Sequence, residues 1–331
     1  PLRPRNSSRW CSEVGKDGAE DAVKLSIILV RYGMQRELPR TLESLARDYQ
    51  LDAADIDYEV LLVDNGSPAP LALDDALTAR VPLRQLSVAK PPPSPVAAVN
   101  LGAAEARGEL LCIMIDGAHL LTPGVFRWSL RAAAAFAEPV IAVRYFYLGP
   151  GDQPETVLAG YDQAREDRLL RRIGWPADGY RLFEVGAPLR GGASHTTWFN
   201  RMFESNCLIL RRELFERLGG LDARFDLPGG GFANLDFFKR ASEAAGAELV
   251  QLVGEGSFHQ VHGGATTNSA PERRAARLAA YREQYRVLRG NSEFTTAAPL
   301  NFLGHLPTEA AKIHRRRPQQ AAVSAPAAPS G

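Results

Sequence analysis

The sequence predicts an α/β protein with a Rossmann-like, mostly parallel central sheet, helices on both faces and an additional C-terminal helix. In the first half, strand-like runs at residues 25–30, 58–63, 83–88 and 110–115 alternate with segments of helical character. The first and last of these runs are almost wholly apolar, which is typical of strands covered on both faces. A length of 331 residues suits one large domain of this class or two small ones.

The connecting segments of the first half follow in order. The first predicted helix carries Leu38, Leu42 and Leu45 on one face, and a short helix is expected near residues 71–77. The proline-rich segment 91–95 then precedes an alanine-rich helix at 96–106. Ligands of parallel sheets bind beyond the carboxyl ends of strands, so the polar residues that follow the strands are candidate ligand contacts. These are Arg31, Tyr32, Asp64 and Asp116.

The second half shows less regular patterning. Residues 150–200 are rich in Gly, Pro and Arg and predict a long insertion with little structure of its own. Further elements are predicted as a strand at 205–210, helices at 211–218 and 234–245, a strand at 248–253 and a helix at 271–289. Pro at its first turn and Gly290 after its end delimit that last helix. Its predicted buried stripe consists of Leu278, Tyr281, Tyr285 and Leu288.

Composition excludes several classes of protein. Lys and Arg total 39 against 38 Asp and Glu, so no net field favours nucleic acid. Five Lys against 34 Arg are typical of a GC-rich bacterial genome. Three cysteines cannot form a disulfide framework, and no CxxC pair is present. No apolar run approaches the roughly 20 residues of a membrane span, and the first residues lack a signal-peptide core. We expect a cytoplasmic protein.

Both ends of the chain are expected to lie outside the catalytic fold. Residues 1–23 predict an irregular extension, and residues 315–331 predict a disordered tail. Basic residues from Lys312 to Arg317 offer peripheral contact with the inner membrane face, although a solvated tail is the preferred interpretation.

Six motifs in order resemble family-two glycosyltransferases. They are SIILVRY (26–32), LPRTLESL (38–45), EVLLVDNGS (59–67), VAAVNLG (96–102), ARGE (106–109) and LGGLDARF (218–225). The resemblance covers about residues 24–265 and implies the A-type, nucleotide-diphosphosugar transferase fold. It implies a catalytic domain over residues 24–270, with a nucleotide-binding half (24–120) and an acceptor half (121–270). A C-terminal helical segment would follow at 271–314.

The same resemblance implies a donor site. Tyr32 and Asp64 match positions that hold the nucleobase, Asn100 lies where the diphosphosugar is approached, and Asp116 matches the first acid of the DxD motif. The donor would be a nucleotide-diphosphate sugar, with UDP favoured over GDP or dTDP, and the acceptor a glycan or small molecule. Family members use a divalent cation, Mn²⁺ or Mg²⁺. Here Ala118 replaces the second acid, so the motif alone does not establish a metal.

The general base also departs from the family pattern. Asn234 stands where inverting members carry an acid, and an amide cannot deprotonate a hydroxyl. Asp236 is the nearest acid and is the expected base, with a helix-capping role as its alternative. Glu204 and Asp226 are lesser candidates.

Two further groups complete the candidate site. His259 and His262 flank the position of a metal- or diphosphate-binding histidine in many A-type enzymes. In an extended segment their spacing aims them at opposite faces, so one is expected to reach the site. Trp198, Phe199 and Glu204 are candidate acceptor contacts, with core packing as the alternative for the two aromatic residues.

The resulting functional prediction is an inverting glycosyltransferase that moves a sugar from a nucleotide-diphosphate sugar to an acceptor hydroxyl. The alternative is a degenerate, non-catalytic nucleotide- or glycan-binding module of the same fold, because two motif acids are absent. A sugar-phosphate nucleotidyltransferase is disfavoured, since residues 31–36 lack the glycine-rich phosphate loop of that class.

Overall fold

The computed structural model describes residues 24–189, 196–263 and 270–311. The described strands, all in one sheet, are β1 Leu25–Arg31, β2 Tyr58–Asp64, β3 Leu83–Ser87, β4 Leu110–Met114, β5 His119–Leu121, β6 Pro139–Leu148, β7 Gly186–Pro188, β8 Leu208–Arg211, β9 Glu248–His259 and β10 Leu300–Gly304. The described α-helices are α1 Glu37–Ser44, α2 Asp75–Thr78, α3 Val96–Glu105, α4 Val125–Ala135, α5 Gln153–Leu158, α6 Gln163–Ile173, α7 Leu182–Val185, α8 Arg212–Arg217, α9 Ala233–Ser242, α10 Pro271–Arg289 and α11 Thr308–Ala311.

The predicted fold class is confirmed by the sheet. Its main order is β10-β9-β6-β8-β4-β1-β2-β3, with β5 paired to β9 and β7 paired to β6. Strands β1 to β4 are mutually parallel, and the antiparallel strand β8 joins them to the parallel pair β6–β9. The carboxyl ends of β1, β2 and β4 therefore meet at one edge, as the sequence predicts.

Helices cover both faces of this sheet. Along β1, Ile28 and Val30 pack into a cluster with α3 and α9, whereas Ile27 and Leu29 pack into a second cluster with α1 and α4. All seven residues of β1 are buried, as expected of a strand between two apolar layers. The stripe predicted on α10 is also confirmed, since Tyr281 and Tyr285 are buried against the first cluster.

The structure corrects the predicted insertion at residues 150–200. Its described part contains α5, α6, α7 and β7, and α6 buries Leu170 and Ile173 in a third apolar cluster. The high Arg content hid the helix because its apolar residues occupy only one face. The segment after α10 also differs from the predicted helical segment, because it includes strand β10 at the sheet edge.

The terminal segments predicted at residues 1–23 and 315–331, and the basic residues from Lys312, lie outside the described residues. In the described part of the chain, no helix is both long and apolar enough to cross a membrane.

A buried carboxyl group lies on β9, remote in sequence from its partners. Glu255 is fully buried and accepts hydrogen bonds from Thr122 Oγ1 (2.5 Å), Tyr180 OH (2.8 Å) and Gly124 N (3.2 Å). Burial raises the pKa of Glu255 to about 7, although these donors oppose the shift.

Replacing Glu255 by Gln is expected to change how stability depends on pH. The unfolded chain ionises this carboxyl near pH 4.5 and the folded protein near pH 7, so the wild type loses stability across that interval. The loss amounts to at most about 3 kcal/mol. Denaturant unfolding at pH 5 and pH 8 should therefore show that the stability of Glu255→Gln relative to the wild type is greater at pH 8 than at pH 5. Equal differences at both pH values would contradict this assignment.

Candidate active site

Asp116 follows β4 at the carboxyl edge of the sheet. Asn206 fixes its backbone, because the Asn206 side chain accepts from Asp116 N (3.0 Å) and donates to Asp116 O (2.9 Å). The next residue must be glycine, since a Cβ at Gly117 would lie 2.5 Å from the carbonyl oxygen of Val30. The Asp116 Oδ1 atom accepts from Ala118 N at 2.9 Å, which leaves Oδ2 facing the histidines.

Both predicted histidines reach Asp116, which corrects the expectation that only one would. Asp116 Oδ2 lies 3.3 Å from His259 Nε2 and 3.2 Å from His262 Nε2, and the two nitrogens are 3.0 Å apart. The alternation of an extended chain does not apply because β9 ends at His259. The following turn is held by Glu166, whose carboxylate accepts from Val261 N at 2.7 Å.

The short strand β5 brings this turn to Asp116. It begins three residues after Asp116 and pairs antiparallel with β9, with His119 opposite His259. His119 is buried, its ring lies edge-on to His259 at 4.9 Å, and its Nδ1 is 2.8 Å from Ser257 Oγ. His119 thus packs against the cluster from β5.

Gln153 on α5 determines which nitrogen of His259 carries the proton. Its Nε2 must donate to the His259 carbonyl oxygen (2.8 Å), so its Oε1 accepts from His259 Nδ1 (2.6 Å). His259 Nε2 is then left with a lone pair directed at Asp116 and His262. A hydrogen bond of this kind orients metal-binding histidines in proteins.

The cluster is electrostatically coupled. Burial raises the pKa of Asp116, but the neighbouring His262 and His259 outweigh it and hold that pKa well below its usual range. Burial lowers the pKa of His262, yet the Asp116 carboxylate outweighs burial and raises it overall. For His259 and His119 burial prevails and lowers the pKa of each. The Nε2 atom of His262 thus lies between two acceptors, Asp116 Oδ2 and His259 Nε2.

These three atoms also fit a cation. Ligand atoms bound at about 2.1 Å to one octahedral or tetrahedral ion stand about 3.0–3.4 Å apart. The observed separations are 3.0, 3.2 and 3.3 Å. One carboxylate with two imidazoles suits Mn²⁺ or Zn²⁺, and the carboxylate suits Mg²⁺. Asp116, His259 and His262 could therefore hold a divalent cation without the acid that Ala118 replaces.

Glu204 lies on the same side of the sheet as Asp116. It precedes by two residues the Asn206 that clamps Asp116, and its Oε2 accepts from Asn234 Nδ2 at 3.1 Å. Burial raises the pKa of Tyr145, whose ring stacks on His259 at 5.8 Å, and the charges of Tyr147, Asp116 and Glu204 add to that shift. Burial raises the pKa of Glu204, partly offset by Asn234. A carboxylate with a raised pKa next to the cluster has the character of a general base.

Arg274 in the first turn of α10 is a further cation near the cluster. Its charge lowers the pKa of Tyr147, whose ring lies edge-on to His259 at 6.2 Å, although burial raises that pKa overall. Among the described residues, the buried Arg274 Nε has no hydrogen-bond partner. The sequence has six arginines on this helix, and its helical pattern does not distinguish Arg274 from the other five.

The predicted nucleobase contacts lie at the ends of β1 and β2. Asp64 pairs with Arg31 across the two strands, and its Oδ1 accepts from Ser67 N at 2.8 Å. Ser67 Oγ accepts from Gly33 N at 2.9 Å, which joins the two loops. Tyr32 is 63% exposed beside them. The carboxylate thus closes an Asx turn, while the exposed Tyr32 ring remains available to a planar ligand.

Asn100 does not face the cluster, in contrast to its predicted role. Its amide pairs with the backbone of Leu221, donating to the carbonyl at 2.9 Å and accepting from the N–H at 3.0 Å. Both ends of the side chain are used to hold the LGGLD turn against α3. The position therefore has a structural explanation independent of a donor.

Asp236 is also committed to the fold, which corrects its prediction as the base. It is 1% exposed and accepts from Arg240 Nε at 2.8 Å and from Arg289 Nε at 2.5 Å. Arg289 also donates to Asp222 at 2.9 Å. This network ties α9 to the last turn of α10 and to the LGGLD turn. Both carboxylate oxygens of Asp236 therefore accept hydrogen bonds from guanidinium groups.

The two aromatic residues predicted as acceptor contacts differ in their exposure to solvent. Trp198 is 1% exposed and packs against Phe183 and Phe146, with ring centroids 5.6 and 5.9 Å away, so it belongs to the core and cannot form an acceptor wall. Phe199 is 63% exposed and lies edge-on to Phe302 of β10 at 5.3 Å.

Replacing Asp236 by Asn is expected to destabilise the protein. The change leaves two guanidinium groups without their buried counter-charge and should cost about 3 kcal/mol of unfolding free energy. In thermal denaturation the midpoint should fall by about 5 °C. Glu283→Gln, which removes the exposed partner of Arg286 on α10, is the control and should shift the midpoint very little. A wild-type midpoint for Asp236→Asn would contradict the structural role.

The comparisons with known proteins concern the fold. No protein-family model matches the sequence, and no curated protein matches it. Among solved structures, the chain is similar to S. aureus TarS residues 1–349 in complex with UDP-GlcNAc, at 14% identity and a TM-score of 0.48, covering 80% of this chain and 66% of that one. For the UDP complex the values are 14%, 0.46, 80% and 65%. This chain therefore spans about 65% of the solved TarS fragment.

Proposed function

We propose that this chain is a glycosyltransferase that moves a sugar from a nucleotide-diphosphate sugar to an acceptor hydroxyl, with inversion at the anomeric carbon. The observation that carries the proposal is the Asp116–His259–His262 cluster at the carboxyl edge of the sheet, with the Glu204 carboxylate in the segment that leads into β8 at the same edge. This arrangement offers separate groups for a departing diphosphate and for an attacking hydroxyl. The sequence resemblance to family-two glycosyltransferases points to the same reaction.

Glu204 is the proposed base. In a single displacement the acceptor oxygen bonds to the anomeric carbon, its proton passes to Glu204, and the bond to the diphosphate oxygen breaks. Asn234 would hold the carboxylate in position through its 3.1 Å hydrogen bond. Glu204 is preferred to Asp236 because a single neutral amide contacts it, whereas two guanidinium groups bind Asp236.

The departing diphosphate would lie on the opposite side of the sugar. A divalent cation bound by Asp116, His259 and His262 would neutralise the charge that develops on this group. Arg274 would pair with a phosphate oxygen, consistent with its unpartnered Nε. Tyr32 would contact the nucleobase, and UDP is the nucleotide proposed first.

Mn²⁺ is expected to stabilise the wild-type protein and not the Asp116→Asn variant. At a free concentration one hundred times its Kd, a ligand adds about 2.7 kcal/mol to the stability of the folded state. Thermal denaturation with Mn²⁺ and with EDTA measures this gain. Asp48→Asn, which removes an exposed carboxylate paired with Arg80, is the control and should keep the full response. An equal Mn²⁺ response in Asp116→Asn would refute the cation site.

Glu204→Gln is expected to slow turnover while leaving nucleotide binding intact. Hydrolysis of UDP-GlcNAc, with water in place of the acceptor, should fall by about a hundredfold or more because the base is lost. The wild-type rate should rise with pH as the carboxyl group, whose pKa burial raises, becomes ionised. UDP and UDP-GlcNAc, the ligands of the two TarS complexes, are the first to test.

Glu216→Gln, the same substitution at an exposed position of α8, is the matched control and should hydrolyse the donor at the wild-type rate. Wild-type hydrolysis by Glu204→Gln would exclude this residue as the base. If the wild type binds nucleotides but turns over no donor, the non-catalytic binding module becomes the better assignment.

A further inference from the structure

A groove of about 570 Å³ lies between α6, α7 and the turn that follows β6. One wall consists of three arginines of α6, namely Arg165, Arg168 and Arg172. Their spacing of three and four residues places them on one face of the helix. From the first to the last, the helix rises about 10 Å, so the groove presents a row of positive charges.

The three guanidinium groups form no salt bridge in the described part of the chain. The acidic residues of α6 form ion pairs with an arginine outside this helix. Glu166 and Asp167 pair with Arg36, which comes just before α1. Glu184, the acid in the groove lining, is paired with Arg181 at 3.0 Å. The two acidic residues of α6 therefore lie towards α1, and the three arginines lie towards the groove.

The remaining lining is apolar and concave. Tyr161 and Val185 are buried, and Leu169 is half-buried, so they form the apolar part of the lining beside the arginine row. An apolar surface next to cations suits a ligand with hydrocarbon faces and anionic substituents, such as a sugar chain that carries phosphate or carboxylate groups. A flat lipid surface would need a protruding face instead of a groove.

The groove lies at the end of the strand whose tyrosines pack on His259. Gly149 and Pro150 in its lining directly follow β6, the strand that carries Tyr145 and Tyr147 next to His259. Gly149 lies two residues beyond Tyr147, about 7 Å along the chain. Helix α5, which begins after this turn, supplies the Gln153 that binds His259. A ligand in the groove would therefore extend away from the site.

We propose that this groove binds the phosphate or carboxylate groups of an extended carbohydrate chain, so that the acceptor of the reaction is a polyanionic glycan. This rests on the proposed function, because it identifies the bound chain as the acceptor. The anionic groups pair with Arg165, Arg168 and Arg172, and the sugar faces lie on the apolar wall. The chain end then reaches the Asp116 cluster.

Binding of the full-length protein to two probes tests the proposal. The probes are a linear oligogalacturonate and a short linear polyphosphate, with a neutral oligosaccharide of the same length for comparison. The triple variant R165Q/R168Q/R172Q should bind both anionic probes about tenfold or more weakly and with a reduced dependence on salt. The neutral oligosaccharide should bind neither protein measurably. R171Q, an exposed arginine of α6 outside the groove, is the control and should bind like the wild type.

Unchanged binding of both anionic probes by the triple variant would overturn the proposal. Binding of phosphatidylserine vesicles that depends on the three arginines, with no binding of either soluble probe, would also overturn it in favour of a lipid surface. Hydrolysis of UDP-GlcNAc by the wild-type protein keeps the two proposals distinguishable, because water replaces the acceptor in that reaction and the groove is not needed. Absence of hydrolysis in every protein would reject the proposed reaction and leave the groove measurement valid.

Discussion

The site depends on holding the half-buried Asp116 carboxylate against two buried imidazoles. A charge in such a position needs a compensating partner, and His262 supplies it. The two histidines that contact Asp116 come from a distant part of the sheet, since β9 is separated from β4 by β6 and β8. The pairing of β5 with β9 spans this distance, because β5 starts three residues after Asp116 and lies against the end of β9. The sheet topology thus determines which side chains can meet the carboxylate.

The acidic residues around the site differ in their hydrogen-bond partners. Asp236 lies between two arginines and joins helices α9 and α10, so its charge is used for stability. Glu204 has one amide partner and a pKa raised by burial, so its proton affinity is available for chemistry. Asn234 lies on α9 together with Asp236, at the position where an acid was expected. Its side chain donates a hydrogen bond to the carboxylate of Glu204.

The sequence predicted correctly those helices and strands whose limits are determined by residues close to them in the chain. Helix α10 has the predicted limits because Pro271 starts it and Gly290, with a φ of 71°, ends it. Strand β9 runs six residues further than predicted, since residues 254–259 include glycines and buried polar side chains that break the apolar run. Asp116 and the two histidines were identifiable from sequence. The contacts of Gln153 and Arg274 were not, because they join segments more than a hundred residues apart.

Helix α6 contacts both the turn that carries the histidines and the proposed acceptor groove. Glu166 on one face holds the turn between His259 and His262 through Val261 N, and it is itself paired with Arg36. The arginines on another face line the groove. Burial of Leu170 and Ile173 fixes the helix against the third core cluster, so neither face can shift without the other. A chain bound along the groove would therefore contact the same helix whose Glu166 holds the turn between the two histidines.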